Sequence, residues 1–372
     1  MNQKIKVFSA VLVFWAALFV AWEWWHSFPK VRTNPSLKLS STVAGVDSIL
    51  NQAMSTYLLP GISVAVVKSD QVIYLNAFGF ENLQTKAPLT VDSQILVASV
   101  SKLFTALALS KVMSERGILP ADSLAIFSLK DLYASPLSNL QFKSLLSHTS
   151  GLRDMNFKEK IFSSSKTQSL KEWGTDFLQA PKANDPEAIE YSYSDSNYDF
   201  LGYLLGESEQ LDFAELLDRN VFAPCGMINS AFVNHWPIEE TGITGYQKTF
   251  LWKRIEPKRI KFSVLPSPSS GLVTTTKDMS IAMTQLLRGN MGVYQKELEW
   301  LRIDGSNEQL GFQKTQINGT EWLGHFGGQA GYSSLMFYSK EADTGIFLFS
   351  NSRDKEDFRI EVARQVILYI SP

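Results

Sequence analysis

The apolar positions of this chain change their spacing several times along its length. Val7 to Trp22 is an unbroken apolar run apart from Ser9. Val43 to Tyr57 then carries apolar residues at helical spacing, and Pro60-Gly61 ends it. Ile62 to Val67 is a short apolar run that predicts a strand. Lys68-Ser69-Asp70 predicts a turn and Gln71 to Gly79 its hairpin partner. Ile95-Leu96-Val97 reads as a strand leading into an amphipathic helix over about Val100 to Arg116. Helical patterns dominate from Ser101 to about Phe262. Strands return at Leu335 to Ser339 and Thr344 to Ser350, and Asp357 to Ile370 has the spacing of a closing amphipathic helix. Strands at both ends with helices between predict an α/β fold, more fully an α+β sandwich. An antiparallel sheet is built from both termini and flanked by helices, and a mainly helical subdomain (about 101–262) is inserted into it.

The first run needs a separate reading. Lys4 and Lys6 precede it and Trp22, Trp24 and Trp25 close it. Extension to Phe28 brings it to the ~20 residues of a spanning helix. Its alanines are flanked by Trp and Phe rather than by a small-residue cleavage pattern, and the tryptophans resemble an interfacial belt. An uncleaved anchor is therefore favoured over a cleaved signal peptide, with residues 1–28 in the membrane segment. Residues 29–42 form a polar linker and 43–372 the soluble domain. A short basic tail before a large domain predicts tail in and domain out, on the periplasmic or extracellular side.

Composition narrows the classes. With 372 residues, 45% of them hydrophobic, the chain has ample core for one large domain or two small ones. A formal net charge of -2, with no basic stripe interleaved with aromatics, gives no reason to expect nucleic acid. Cys225 is the only cysteine, which excludes an intrachain disulfide, and it reads as a small buried hydrophobe. Four scattered histidines argue against a metal site, and no metal or organic cofactor is expected.

The candidate chemistry begins at Ser99-Val100-Ser101-Lys102. Serine-x-x-lysine also occurs at Ser27/Lys30, Ser163/Lys166 and Ser352/Lys355, but only Ser99 sits where a strand turns into a helix. On a helix, positions i and i+3 share a face, so Lys102 is expected beside the Ser99 hydroxyl. The unpaired N–H groups of the helix start suit a developing oxyanion. A free lysine has a pKa of ~10.4, so acting as a base near neutrality requires a shift of about 3 units. Any second base must come from elsewhere in the chain, and spacing does not say where.

Further stretches identify a family resemblance. Pro60-Gly61-Ile62-Ser63-Val64-Ala65-Val66, Ala98-Ser99-Val100-Ser101-Lys102 and Leu145-Leu146-Ser147-His148-Thr149-Ser150-Gly151-Leu152 follow one another in order. Tyr193-Ser194-Asp195, Pro224-Cys225-Gly226-Met227, Ser270-Gly271-Leu272-Val273-Thr274-Thr275 and Gly324-His325-Phe326-Gly327-Gly328 complete the series. Together they resemble the serine β-lactamase and penicillin-binding-protein superfamily, in its class C β-lactamase-like branch. The resemblance implies a serine hydrolase that passes through an acyl-Ser99 intermediate on ester, amide or peptide substrates, peptidoglycan-related ones among them. Lys102 and Tyr193 would share the proton work, with the formal base unassigned. The backbone N–H groups of Ser99 and Gly328 would form the oxyanion hole, and Asp195, His325 and Gly327 would lie on the substrate side. Two positions depart from the family pattern. His325-Phe326-Gly327 replaces Lys-Thr-Gly, which argues for an esterase- or peptidase-like enzyme. Asp195 replaces asparagine, and an anion there favours the Lys102 ammonium. The alternatives are a D-alanyl-D-alanine carboxypeptidase, a class C-like β-lactamase, or an acylated cell-wall sensor without turnover. His148 reads as a residue that holds its loop. Substrate choice is expected from the loops between about Leu152 and Glu190.

Overall fold

The computed structural model describes residues 3–28, 45–156, 159, 166–183, 191–236, 243–252, 254–289, 292–303, 309–353 and 357–370. The linker at 29–42 and residues 157–158, 160–165 and 184–190 of the 152–190 stretch lie outside these residues. So does one member of each of the other three Ser-x-x-Lys pairs.

Helix α1 runs from Gln3 to His26, and its Ile5–His26 portion is long and apolar enough to cross a membrane. After it come α2 (Val46–Tyr57), β1 (Gly61–Lys68), β2 (Gln71–Asn82), β3 (Ala87–Pro88) and β4 (Ile95–Leu96). The helical region carries α3 (Ser101–Glu115) and α4 (Asp195–Glu209). Short strands β5 (Tyr246–Lys248), β6 (Ile255–Pro257) and β7 (Leu272–Thr274) lead to α5 (Thr276–Arg288). The chain closes with β8 (Gln313–Ile317), β9 (Thr320–Gln329), β10 (Tyr332–Ser339), β11 (Thr344–Ser350) and α6 (Phe358–Ile370).

The main sheet has the order β8-β9-β10-β11-β1-β2-β3 and every pairing is antiparallel. N-terminal β1 lies against C-terminal β11, with Val64 opposite Leu348. The sheet is therefore built from both termini, as the apolar runs at either end predict. Both its faces are covered. Val64, Val66, Leu335, Phe337 and Leu348 pack under α2 and α6. Ala65, Val67, Met336 and Phe347 face the helical side, with Met279 and Met283 of α5. Burial on both faces explains why β1 reads as an apolar run, broken only by Ser63, rather than an alternating one.

Helix α3 differs from its expected amphipathic form. Ser101 to Ser110 are all buried, as are Val112 and Met113. The helix runs through the interior, so its polar side chains must find internal partners. Ser101 Oγ donates to the Ala98 carbonyl at 2.6 Å, and Thr105 Oγ1 to that of Pro268 at 2.7 Å. The β8–β9 hairpin and α5 are elements that the spacing of apolar residues did not announce.

Candidate active site

The site starts at the strand-to-helix turn. Leu96 pairs with Val273, and Val97 N–H donates to the Leu272 carbonyl at 3.2 Å. Ala98 then adopts φ of +49°, a left-handed conformation that costs a residue with a Cβ about 1–2 kcal/mol. The reversal turns the chain through a short 3-10 segment, Ala98–Val100, into α3. It leaves Ser99 partly accessible while Lys102 is wholly buried. Lys102 Nζ lies 3.3 Å from Ser99 Oγ.

Four groups surround the Lys102 ammonium. Its Nζ donates to Asp195 Oδ1 at 2.6 Å and to the Ser269 carbonyl at 2.9 Å. It also lies 5.0 Å from the centre of the Tyr193 ring and 5.5 Å from that of Tyr198. Burial works against the charge on this ammonium, but the Asp195 carboxylate, and after it Tyr193, outweigh the burial and hold its pKa above the ordinary lysine value. Lys102 is therefore an ammonium at neutral pH. Asp199, one helical turn beyond Asp195, is buried beneath the site, where it accepts from Ser269 N–H at 2.8 Å. Burial, and next the Asp195 carboxylate, push its carboxyl up to about 7.

Tyr193 and Asp195 are placed by the start of α4, which is held from outside. Asp154 accepts from the N–H groups of Asp195 at 3.1 Å and Ser196 at 2.9 Å, and from the hydroxyls of Ser194 at 2.9 Å and Ser196 at 2.8 Å. It thus satisfies helix-terminal donors that have no partner within the helix. Burial opposes its ionised form, but these bonds overcome it and lower the Asp154 pKa. His148, expected to hold its loop, does so and more. Its Nδ1 accepts from Ser194 N–H at 3.2 Å, which leaves Nε2 to carry the proton of the neutral ring. The imidazole stacks on Tyr193 with ring centres 4.4 Å apart and planes 30° apart. Burial, then the nearby Lys102 charge, lower its pKa to about 3.

The opposite wall is the end of β9. Strand β8 begins only at Gln313, paired with Gly324, so β9 has an open edge from His325 to Gln329. Gln313 Oε1 accepts from Phe326 N–H at 3.0 Å across that edge. By the alternation of a strand, Gly328 N–H points the same way, toward the space that β8 vacates. Gly327 leaves no room for a side chain. A Cβ there would fall 2.1 Å from the Val97 carbonyl oxygen and 2.1 Å from Ser334 Oγ. Ser334 Oγ also donates to that same Val97 carbonyl at 2.7 Å, which ties β10 to the turn before Ser99. From the far side, Arg359 of α6 donates to the carbonyls of Gly327 at 2.6 Å and Ser334 at 2.8 Å. His325 is buried, its ring centre 6.3 Å from that of Tyr193. Burial, then Lys102, lower its pKa to about 3, so it is a neutral ring.

The structure thus brings Ser99, Lys102, Tyr193, Asp195, His325 and Gly327 close together. Sequence reasoning missed Asp154, Asp199, Ser269 and Arg359. Only Asp199 had a visible signal, its i+4 spacing from Asp195. A cavity of about 510 Å³ extends from His148, Tyr191 and His325 between Leu310, Phe312 and Leu323.

A mixed sheet-and-helix domain with a serine and a buried lysine at a strand-to-helix turn defines the β-lactamase and penicillin-binding class of fold. The model of the family described as Beta-lactamase matches residues 46–369, and the chain belongs to that family. A D-aminopeptidase of Brucella anthropi is 28% identical over 213 residues, which are 55% of this chain and 38% of that protein. Protein flp of Staphylococcus aureus is 22% identical over 237 residues, 63% of this chain and 47% of that one. The chain thus spans less than half the length of these relatives. The D-amino acid amidase of Ochrobactrum anthropi SV3, solved with D-phenylalanine, is 20% identical. It superposes with a TM-score of 0.71 over 88% of this chain and 99% of that one, a likeness of fold.

Proposed function

We propose that the protein is a serine hydrolase that cleaves amide, peptide or ester bonds through an acyl-Ser99 intermediate. The observation that carries this reading is the Ser99 hydroxyl 3.3 Å from the buried Lys102 ammonium, with Tyr193 against the same ammonium. Ser99 Oγ attacks the substrate carbonyl carbon. Its proton passes to the Lys102–Tyr193 pair, the amine or alcohol leaves with that proton, and water later releases the acid. Because Asp195 holds Lys102 as an ammonium, Tyr193, acting as a phenolate beside that ammonium, is the acceptor we favour, and it becomes a neutral phenol as it takes the proton. The N–H groups of Ser99 and Gly328 receive the oxyanion, the latter at the open edge of β9. The apolar walls beside His148 and His325 accommodate the acyl side chain, and Asp195 and Gly327 line the approach. The neutral His325 in place of a lysine favours substrates without a carboxylate at that position, which sets amides and esters ahead of β-lactams. The names of the D-aminopeptidase and D-amino acid amidase relatives suggest amides of D-amino acids as the first substrates to try, with D-Ala-D-Ala peptides behind them.

We further infer a single-pass anchor at residues 1–28, a linker at 29–42 and a catalytic domain over 43–372 on the outer face of the membrane. The apolar Ile5–His26 helix, with its terminal tryptophans, supports this arrangement. The test is a screen of the full chain in detergent against D-amino acid amides, p-nitrophenyl esters, nitrocefin and D-Ala-D-Ala peptides. Amide or ester turnover that exceeds nitrocefin turnover is expected, and the reverse order overturns the substrate preference. Stoichiometric acylation of Ser99 without release over hours would instead favour the sensor reading.

A further inference from the structure

The end of α1 does not stand apart from the soluble domain. Its last turns are bonded to the hairpin formed by β5 and β6. Leu251 N–H donates to Glu23 Oε1 at 2.8 Å, and Trp252 Nε1 donates to the Val20 carbonyl at 3.3 Å. Arg254 donates to the Ser27 carbonyl at 2.5 Å and lies 4.2 Å from the Trp24 ring centre. Trp24 and Trp252 meet edge to face at 5.0 Å, and Phe28 and Ile255 exchange backbone hydrogen bonds. Glu23 is the one acidic residue in α1, and it is 2% exposed against this hairpin. A carboxylate in the last turn of an apolar helix needs such donors.

The tip of the hairpin bears the opposite character. Phe250 is 75% exposed and Leu251 44% exposed, in a loop that a domain facing only water would make polar. Trp25, 76% exposed, closes the helix to which this loop is bonded. Lys258, Arg259 and Lys261 follow the hairpin and are all exposed.

We propose that the β5–β6 hairpin tip is a second membrane contact. Phe250 and Leu251 enter the headgroup region of the leaflet that Trp22, Trp24 and Trp25 occupy, and the basic run after them meets anionic lipid. The proposal rests on the anchor reading above. The continuity of the exposed apolar tip with the helix end carries it, since the bonds to Glu23, Val20 and Ser27 hold the tip level with the last turn of α1. Aromatic and aliphatic side chains at that depth, backed by lysine and arginine, are the composition of an interfacial contact. The same arrangement puts a cavity of about 720 Å³ between Phe19 and Trp22 on one side and Gly328 and Ser333 on the other. The open edge of β9 then lies near the lipid surface, where a membrane-borne acyl donor would arrive.

The test uses the full chain in vesicles of phosphatidylcholine and phosphatidylglycerol. Cys225, buried and the only cysteine, is replaced by serine, and single cysteines carry an environment-sensitive fluorophore at Phe14→Cys, Phe250→Cys and Ile228→Cys. Ile228 is 86% exposed on another part of the domain and serves as the aqueous control. Spin-labelled lipid quenches by depth. We expect the label at 14 to be quenched by deep spin labels. The label at 250 should be quenched by shallow ones, about twofold relative to that at 228. A label at 14 that is buried while the one at 250 behaves like that at 228 overturns the hairpin contact and leaves the anchor intact. A label at 14 that reads as aqueous overturns both. Thermal unfolding of each labelled chain confirms that the domain is folded.

Discussion

Lys102 Nζ sits closer to Asp195 Oδ1, at 2.6 Å, than to the Ser99 hydroxyl oxygen at 3.3 Å. The ammonium beside the nucleophile is thus held by a carboxylate with 45% of its side chain exposed. We infer that Asp195 governs how readily the pair Lys102 and Tyr193 takes the serine proton in the proposed reaction.

Replacing that carboxylate is the most direct probe. Asp195→Asn removes the first charge that offsets the burial of Lys102, so the lysine pKa should fall. We expect acylation by a p-nitrophenyl ester at pH 8 to rise by about tenfold, one pKa unit being worth about 1.4 kcal/mol. The rising limb of the pH–rate profile, which reports the base, should move to lower pH. A slower variant with an unmoved limb would show that the anion belongs to the catalytic machinery and does not restrain it.

Ser99→Ala should abolish turnover together with covalent labelling. Intact-mass measurement after exposure to an activated ester is expected to show one acyl adduct on the parent chain and none on the variant. Ester hydrolysis that persists in Ser99→Ala would falsify the assignment of the nucleophile.

Gly327 and Gly328, though adjacent, should differ sharply. The Cβ of Gly327→Ala meets the Val97 carbonyl at 2.1 Å, and backbone must move to admit it. We expect about 1–3 kcal/mol of destabilisation. Displacement of the Ser99 turn should lower kcat by about 100-fold. At Gly328→Ala the new methyl lies 3.5 Å from the Arg353 side chain, an ordinary contact, and stability should change by less than about 0.5 kcal/mol. Equal melting temperatures for the two variants would contradict the close approach of β9 to the turn.

Stability should fall in acid for a definable reason. His148 and His325 both have folded-state pKa values of about 3, lowered first by burial and then by Lys102. In the unfolded chain each titrates near ~6.5. Between pH 6.5 and pH 3 the unfolded state binds more protons, so stability falls as pH falls and is unaffected by these groups above that window. Midway, the two histidines contribute a slope of about 2.7 kcal/mol per pH unit, of which Asp199, its carboxyl pushed up to about 7 in the folded state, offsets about half. Denaturant unfolding followed from pH 7 to pH 4 checks this. His148→Gln should halve the histidine contribution, and an unchanged slope would refute it.

Much of the fold was legible along the chain. The apolar runs at Ile62–Val67 and Thr344–Ser350 became paired neighbours β1 and β11, and Asp357–Ile370 became α6 within one residue. The β8–β9 hairpin was missed because Gln313–Ile317 and Thr320–Gln329 alternate poorly and the second is broken by Gly324, Gly327 and Gly328, which are punctuation to a periodicity reading. Helix α3 was misjudged as amphipathic because Ser101, Thr105 and Ser110 read as a wet face. Their hydroxyls instead bond to carbonyls inside the core. Of the site, Ser99 and Lys102 were within reach because i and i+3 share a helical face. Tyr193 and His325 needed the ordered family motifs.

The sequence by itself determined the order of the motifs, the apolar helix at Ile5–His26 and the Ser99–Lys102 neighbourhood. These depend on local spacing, and spacing survives in one dimension. The tertiary structure decided the charge state of the lysine, the clamp of Asp154 on α4, the stacking of His148 on Tyr193 and the bonding of Glu23 to the β5–β6 hairpin. Each joins residues far apart in the chain, and their energies depend on distance and burial in three dimensions.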